Sequence, residues 1–170
     1  MIKKIVLFAI LIFSTSAYSA EKNNLISYGL GFFGNNQTNF GGNKINIDFP
    51  VGKDFLNISY TSGTQLFFSF VPININDYAQ LSSIYKFVTR KENFLFSWGT
   101  GICFFEKTVK ERDDKLDVYN VISRSSGISL PFEIDGGFFI GDVFLNYSFF
   151  LSTNLKETYS GNIFSLGVRF

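Results

Sequence analysis

Five ionisable side chains, Lys44, Asp48, Glu133, Asp142 and Arg169, fall at polar positions of alternating stretches or near their ends. Inside a protein such groups do one of two kinds of work. Paired and hydrogen-bonded, they form a structural ion-pair network, because a buried charge is tolerated only with a partner. Strung along a path, they relay protons or gate a pore. The network is the expectation for Lys44, Asp48, Glu133 and Arg169 as charges of an enclosed interior. Little else in the chain is reactive. It has no histidine, which removes the usual general base near neutral pH, the commonest metal ligand and the His-dependent triads. Cys103 is the only cysteine, so no internal disulfide can form. Beside Gly101 on a face of small residues, it reads as filler and not as a nucleophile. No catalytic, cofactor-binding or metal-ligating set is assigned, and any catalysis would have to run on carboxylates, lysine, tyrosine or serine.

The elements that position these groups follow from the rest of the chain. "MIKKIVLFAILIFSTSAYSA" carries Lys3 and Lys4, an apolar run from Ile5 to Phe13, and small residues around Ala17, Ser19 and Ala20. That is the pattern of an export signal, predicted over residues 1–20, with one domain over 21–170. The apolar run is shorter than the roughly 20 residues a spanning helix needs. Acidic and basic residues, 14 and 15, nearly cancel, so no basic face is available for nucleic acid.

Beyond the signal, period-two alternation recurs and no long amphipathic helix is visible. Ile26, Tyr28, Leu30 and Phe32 share a face opposite Ser27, Gly29 and Gly31. Ile45, Ile47, Phe49 and Val51 oppose Lys44, Asn46, Asp48 and Pro50; after a turn at "GKD", Leu56, Ile58 and Tyr60 oppose Asn57, Ser59 and Thr61. This third phase can be continued through Leu66, Phe68 and Phe70. In the fourth stretch Ala79, Leu81, Tyr85 and Phe87 oppose Gln80, Ser82 and Lys86, while Ile84 and Val88 break the pattern. Phe94, Phe96, Trp98, Ile102 and Phe104 form the fifth. "EKTVKERDDKLD", 106–117, reads as a solvated loop. The sixth sets Ile128, Leu130, Phe132 and Ile134 against Ser129, Pro131 and Glu133, with a turn expected at 135–137. Val143, Leu145, Tyr147, Phe149 and Leu151 mark the seventh, and Phe164, Leu166, Val168 and Phe170 the eighth.

Connections alternate between short and long, as in barrels with short periplasmic turns and longer outer loops. The face opposite the aromatic one is Gly, Ser, Asn and Thr, poor lining for a water-facing surface but suited to a narrow lumen. The fold expected is therefore all-β: an eight-stranded antiparallel up-and-down transmembrane β-barrel with a closed polar lumen. In hydrocarbon an unpaired backbone group costs several kcal/mol, so the sheet must close on itself.

The terminal "FSLGVRF" alternation behind an export signal resembles the targeting end of bacterial outer-membrane proteins. The size and strand count resemble the small OmpA/OmpX-type barrels. The resemblance implies the bacterial outer membrane, with Phe164, Leu166, Val168 and above all Phe170 read by the outer-membrane barrel assembly machinery. "YSFFLSTNLKETYSGNIFSLGVRF" is similar to the last hairpin of the PagL-type lipid A 3-O-deacylases, which carry a histidine two positions before a serine. Ser152 takes the serine position and Phe150 the histidine position, and phenylalanine cannot accept the serine proton.

The leading expectation is a monomeric structural or surface-interaction barrel among outer-membrane lipids and lipopolysaccharide. Its outer loops, 63–78 and 106–120, would meet an extracellular partner. A lipid A-modifying enzyme or an inactive relative of one is the alternative, and a narrow small-solute pore the third.

Overall fold

The computed structural model describes residues 24–66, 74–113 and 118–170; the expected signal at 1–20 lies outside them. Eight strands follow in chain order: β1 (Leu25–Gly34), β2 (Asn39–Val51), β3 (Asp54–Gln65), β4 (Asn74–Lys91), β5 (Phe94–Asp113), β6 (Val118–Ile140), β7 (Val143–Thr153) and β8 (Thr158–Arg169). Each pairs antiparallel with its sequence neighbour, and β8 pairs with β1 from Leu25 opposite Arg169 to Gly34 opposite Ser160, closing a barrel. Closure satisfies the ladder groups that an open edge would expose. It extends one step past the strands, because Asn24 and Phe170 exchange backbone hydrogen bonds of 3.2 and 3.0 Å.

Two-residue turns join β2 to β3, β4 to β5 and β6 to β7. Gly52 and Gly141 adopt φ of +65° and +64° there, a region that costs a side chain and suits glycine. The other connections are longer, so the barrel has a turn end and a loop end. Strand pleating sends successive side chains to opposite faces. As expected, Ile26, Tyr28, Leu30, Phe94, Phe96, Trp98, Leu166 and Val168 stand exposed on the outside, while Asn57, Ser59, Thr61, Ser97 and Ser165 are buried inside.

The lumen departs from the purely polar lining expected. Near the loop end Phe33, Phe40, Tyr78, Phe150, Tyr159 and Ile163 pack together, with Phe33 and Phe40 rings stacked at 5.3 Å. Near the turn end Leu25, Phe55, Leu95, Phe139 and Phe144 form a second cluster. Eight strands leave a space that side chains fill, and this one is stoppered at both ends around a polar middle.

Three expected boundaries are corrected. Residues 106–113, expected in a loop, belong to β5, and β6 begins ten residues before Ile128. Both faces of this segment meet water, so the pairing continues without the apolar alternation that marks a strand. Residues 135–137 are not a turn but lie within β6, near its C-terminal end. Asp135 points inward, and a Cβ on Gly137 would collide with the Phe144 ring, so the Asp-Gly-Gly run reflects interior packing. In β4, Ile84 and Val88 broke the expected alternation because they face the lumen, Ile84 fully buried and Val88 against the turn-end cluster. β3 is assigned as far as Gln65; the Leu66 N–H donates to the Asn39 carbonyl (2.8 Å), and Phe68 and Phe70, onto which the third phase could continue, lie outside the described residues.

Candidate functional site

Among the described residues, β2, β4 and β6 contribute the charges in the polar middle of the lumen. Lys44 and Asp48 come from β2, Lys86 from β4, Glu133 and Asp135 from β6. All five are buried, Lys44 and Glu133 to 1% exposure. The Lys44 ammonium donates to Glu133 Oε2. Lys86 Nζ lies 2.7 Å from Glu133 Oε1, 2.7 Å from Asp135 Oδ2 and 3.9 Å from Asp48 Oδ1. Neutral donors complete the carboxylate shells. Asp48 accepts from Asn57 Nδ2 at 2.7 Å; Asp135 accepts from Ser97 at 3.0 Å and Ser148 at 2.5 Å. Low dielectric makes such bonds strong when satisfied and costly when not.

Lys86 and Asp135 are the members that sequence reasoning left out. Lys86 sat on the polar side of the weakest alternation, and Asp135 was masked by a turn-like tripeptide. Arg169 is not in the cluster. It sits at the turn end, 3.4 Å from Asp142 Oδ1 and 3.3 Å from the Gly141 carbonyl, with its guanidinium 5.0 Å from the Phe139 ring centre. Chemically the cluster can hold charge but offers no open path, because an aromatic plug lies on either side. Ser152 is buried with Oγ 2.7 Å from Ser129 Oγ, and Phe150 belongs to the loop-end cluster; Ser129 is no base strong enough to activate it. Cys103 is fully buried.

The outer surface changes character along the barrel. Phe104 and Ile128 end the apolar run on β5 and β6; above them the outward positions hold Glu106, Thr108, Lys110, Arg124 and Ser126. There β4, β5 and β6 continue as a sheet, from Asn74 opposite Glu111 and from Asp113 opposite Val118. Lys110 pairs with Asp77 across this arm. A bulge between Val109 and Lys110 leaves Ile122 as the extra residue on β6. Val118, Val121 and Ile122 are exposed near the tip. β7 pairs with β6 only from Leu130 onward, so among the described residues the β6 edge below that number has no strand partner.

The closed eight-stranded ring has counterparts among solved structures. The attachment invasion locus protein Ail of Yersinia pestis matches with a TM-score of 0.62 and 14% identity, over 89% of this chain and all of that one. The fold is that of the small outer-membrane barrels. Neisserial surface protein A matches at TM-score 0.57 and 12% identity, over 86% and 96% of the two chains. The N-terminal β-barrel domain of Pseudomonas aeruginosa OprF matches at 0.55 and 14%, over 88% and 98%. Ail is also known in complex with the heparin analogue sucrose octasulfate, a structure that matches at 0.59 and 15%, over 86% and 96%. No family model matches the chain, and no curated protein does.

Proposed function

We propose that the protein is a monomeric outer-membrane barrel whose role is surface interaction: the closed cylinder is an anchor and the β4–β5–β6 arm meets an extracellular macromolecule. The arm carries this reading. A strand edge left unpaired is a ready template for a partner, and three exposed aliphatic residues at its tip add contact surface in a region that water would otherwise favour for polar groups. Attachment is in the name of Ail, and its heparin-analogue complex indicates that a barrel of this shape can present a ligand surface. Membrane placement is supported by the outward aromatic belt and inward charges, a pattern that is costly in water and favoured in lipid. Export by a signal at residues 1–20 and delivery through the barrel assembly machinery, with Phe164, Leu166, Val168 and Phe170 as the recognised face, belong to the same reading. Plugged at both ends, the lumen lends nothing to a pore, and Phe150 lends nothing to a deacylase.

Fractionation and heated-versus-unheated gels test the anchor: the protein should enter the outer-membrane fraction and shift mobility on boiling. Attachment of cells displaying the protein to a host-cell monolayer tests the arm. Shortening the hairpin by removing 107–112 and 119–124 should abolish the gain in attachment while leaving the gel shift intact. Undiminished attachment by the trimmed variant would refute the role given to the arm.

A further inference from the structure

A second surface lies on the opposite side of the loop end, where β7, β8 and β1 meet. Two four-residue loops, 35–38 and 154–157, wall a cleft of about 1050 Å³. The loops are built alike. Asn35 Oδ1 accepts from the backbone N–H of Gln37 (2.9 Å) and Thr38 (2.8 Å), and Asn154 Oδ1 from those of Lys156 (2.7 Å) and Glu157 (2.8 Å). Each is closed by a further 3.0 Å backbone bond between its first and last residues. Such walls are pre-formed, which lowers the ordering cost of a ligand.

Across the floor Phe32, Asn162 and Phe149 stand in one outward row on three adjacent strands. Asn162 is a polar residue on the apolar face, and its Oδ1 accepts from Tyr147 Oη at 2.6 Å. The bond fixes the amide and leaves its NH2 as a donor with no hydrogen-bond partner among the described residues. Asn36 and Gln37 add two exposed amide side chains from one wall. Among the described residues the lining carries two charges, Lys156 and Glu157, which are adjacent and opposite. Glu157 is further engaged by the Tyr159 hydroxyl and by Lys107 at 3.7 Å.

This chemistry selects among ligand classes. An anionic ligand would need a cluster of cations, whereas Lys156 is the single cation of the described lining. An acyl chain would leave the amides unsatisfied. A sugar ring presents C–H faces to aromatic side chains and hydroxyls to amides, and needs no charge. We infer that the cleft binds uncharged hexose or N-acetylhexosamine units of a glycan. The inference deepens the surface-interaction reading and rests on it. The units would come either from the core of surrounding lipopolysaccharide or from an extracellular glycan.

Saturation-transfer NMR tests it on the full barrel in phosphocholine micelles, with maltotriose and N,N'-diacetylchitobiose as soluble probes. In parallel, co-purification compares full-core with heptose-deficient lipopolysaccharide. Transfer to ring protons of either soluble sugar, or retention of the full-core form alone, is the expected result; the first points to an extracellular glycan and the second to the cell's own. The Asn36→Ala/Gln37→Ala pair, at exposed loop positions, and Asn162→Leu should each weaken binding by about tenfold, the scale of one or two lost hydrogen bonds. Silence from both sugars with no preference for full-core lipopolysaccharide would overturn the site, as would variants that bind undiminished or a stronger response to sucrose octasulfate. The boiling-dependent gel shift is read on the same samples: a barrel that keeps the shift but shows no glycan binding removes this inference and leaves the anchor reading standing.

Discussion

Glu133→Gln is the most informative perturbation of the lumen. Glu133 is shared, with one carboxylate oxygen taking Lys44 and the other taking Lys86 at 2.7 Å. The two lysines are unequally insured. Lys86 keeps Asp135 at 2.7 Å and Asp48 at 3.9 Å, whereas Lys44, at 1% exposure, has no second carboxylate within ion-pair distance among the described residues and lies 5.8 Å from the Phe150 ring. A cation over an aromatic face is worth about 0.5–2 kcal/mol, while an uncompensated buried charge costs about 3–5 kcal/mol. A loss of about 3 kcal/mol is therefore expected, a large part of the roughly 5–15 kcal/mol that keeps a domain folded. Lys44→Met/Glu133→Gln removes the stranded cation together with its partner and should recover most of that loss, because replacing a buried pair is often neutral or better. Guanidinium unfolding in micelles, followed through Trp98, the only tryptophan, reads both variants. If Glu133→Gln unfolds within about 0.5 kcal/mol of the parent, or the double variant is no better than the single, the cluster is not the desolvated network described.

Three further expectations are more local. Gly137→Ala should cost about 1–3 kcal/mol by overpacking against Phe144, whereas Gly136→Ala, with open space around its Cβ, should stay within about 0.5 kcal/mol in the same unfolding assay. Trp98 faces outward beside Phe87, ring centres 4.7 Å apart. Its fluorescence should be quenched by lipids brominated on their acyl chains, and an unquenched signal would contradict a lipid-facing exterior. Cys103, fully buried, should resist a maleimide in the folded barrel and react on unfolding; ready labelling of the folded form would mean that the loop-end plug is open.

The parts of the fold legible in the sequence are those where the two faces of a strand meet different surroundings. β1, β2, β7 and β8 alternate because lipid-compatible residues stand opposite a lumen of small polar ones, and their registers follow. Legibility failed where that contrast vanished. Beyond Phe104 both faces of β5 are wet, so a paired strand looked like a charged loop. At Ile84 both faces of β4 are apolar, so a regular strand looked broken. The Asp135–Gly137 run carries turn residues for a different reason: Asp135 serves Lys86, and Gly137 makes room for Phe144. The interior charges were half legible for the same cause, since Lys44, Asp48 and Glu133 sit in clean alternations while Lys86 and Asp135 do not. The loop-end cleft left no local signature, because its floor is assembled from strands at opposite ends of the chain.

The placement of charges also bears on how one register is chosen. On the membrane reading, the apolar exterior discriminates poorly between registers, because lipid is as apolar as the side chains that face it. A slip of one residue inverts a strand's two faces. For β4 it would turn Lys86 to the lipid, and for β6 both Glu133 and Asp135; a lysine at mid-bilayer costs about 2–4 kcal/mol, and a carboxylate somewhat less. Each slip would also strip the partners of those groups of their hydrogen bonds. β2, β4 and β6 carry the five buried charges, and the intervening β3, β5 and β7 supply the neutral donors Asn57, Ser97 and Ser148 that complete the carboxylate shells. Six consecutive strands are thereby tied into one register by a few polar contacts. β1 and β8 contribute no charge to that layer; at their seam a Cβ on Gly29, Gly31, Gly161 or Gly167 would meet the facing strand, as it would on Gly42, Gly99 and Gly101 elsewhere in the wall. Close strand packing thus runs around the barrel, and ion pairing adds to it from β2 to β7.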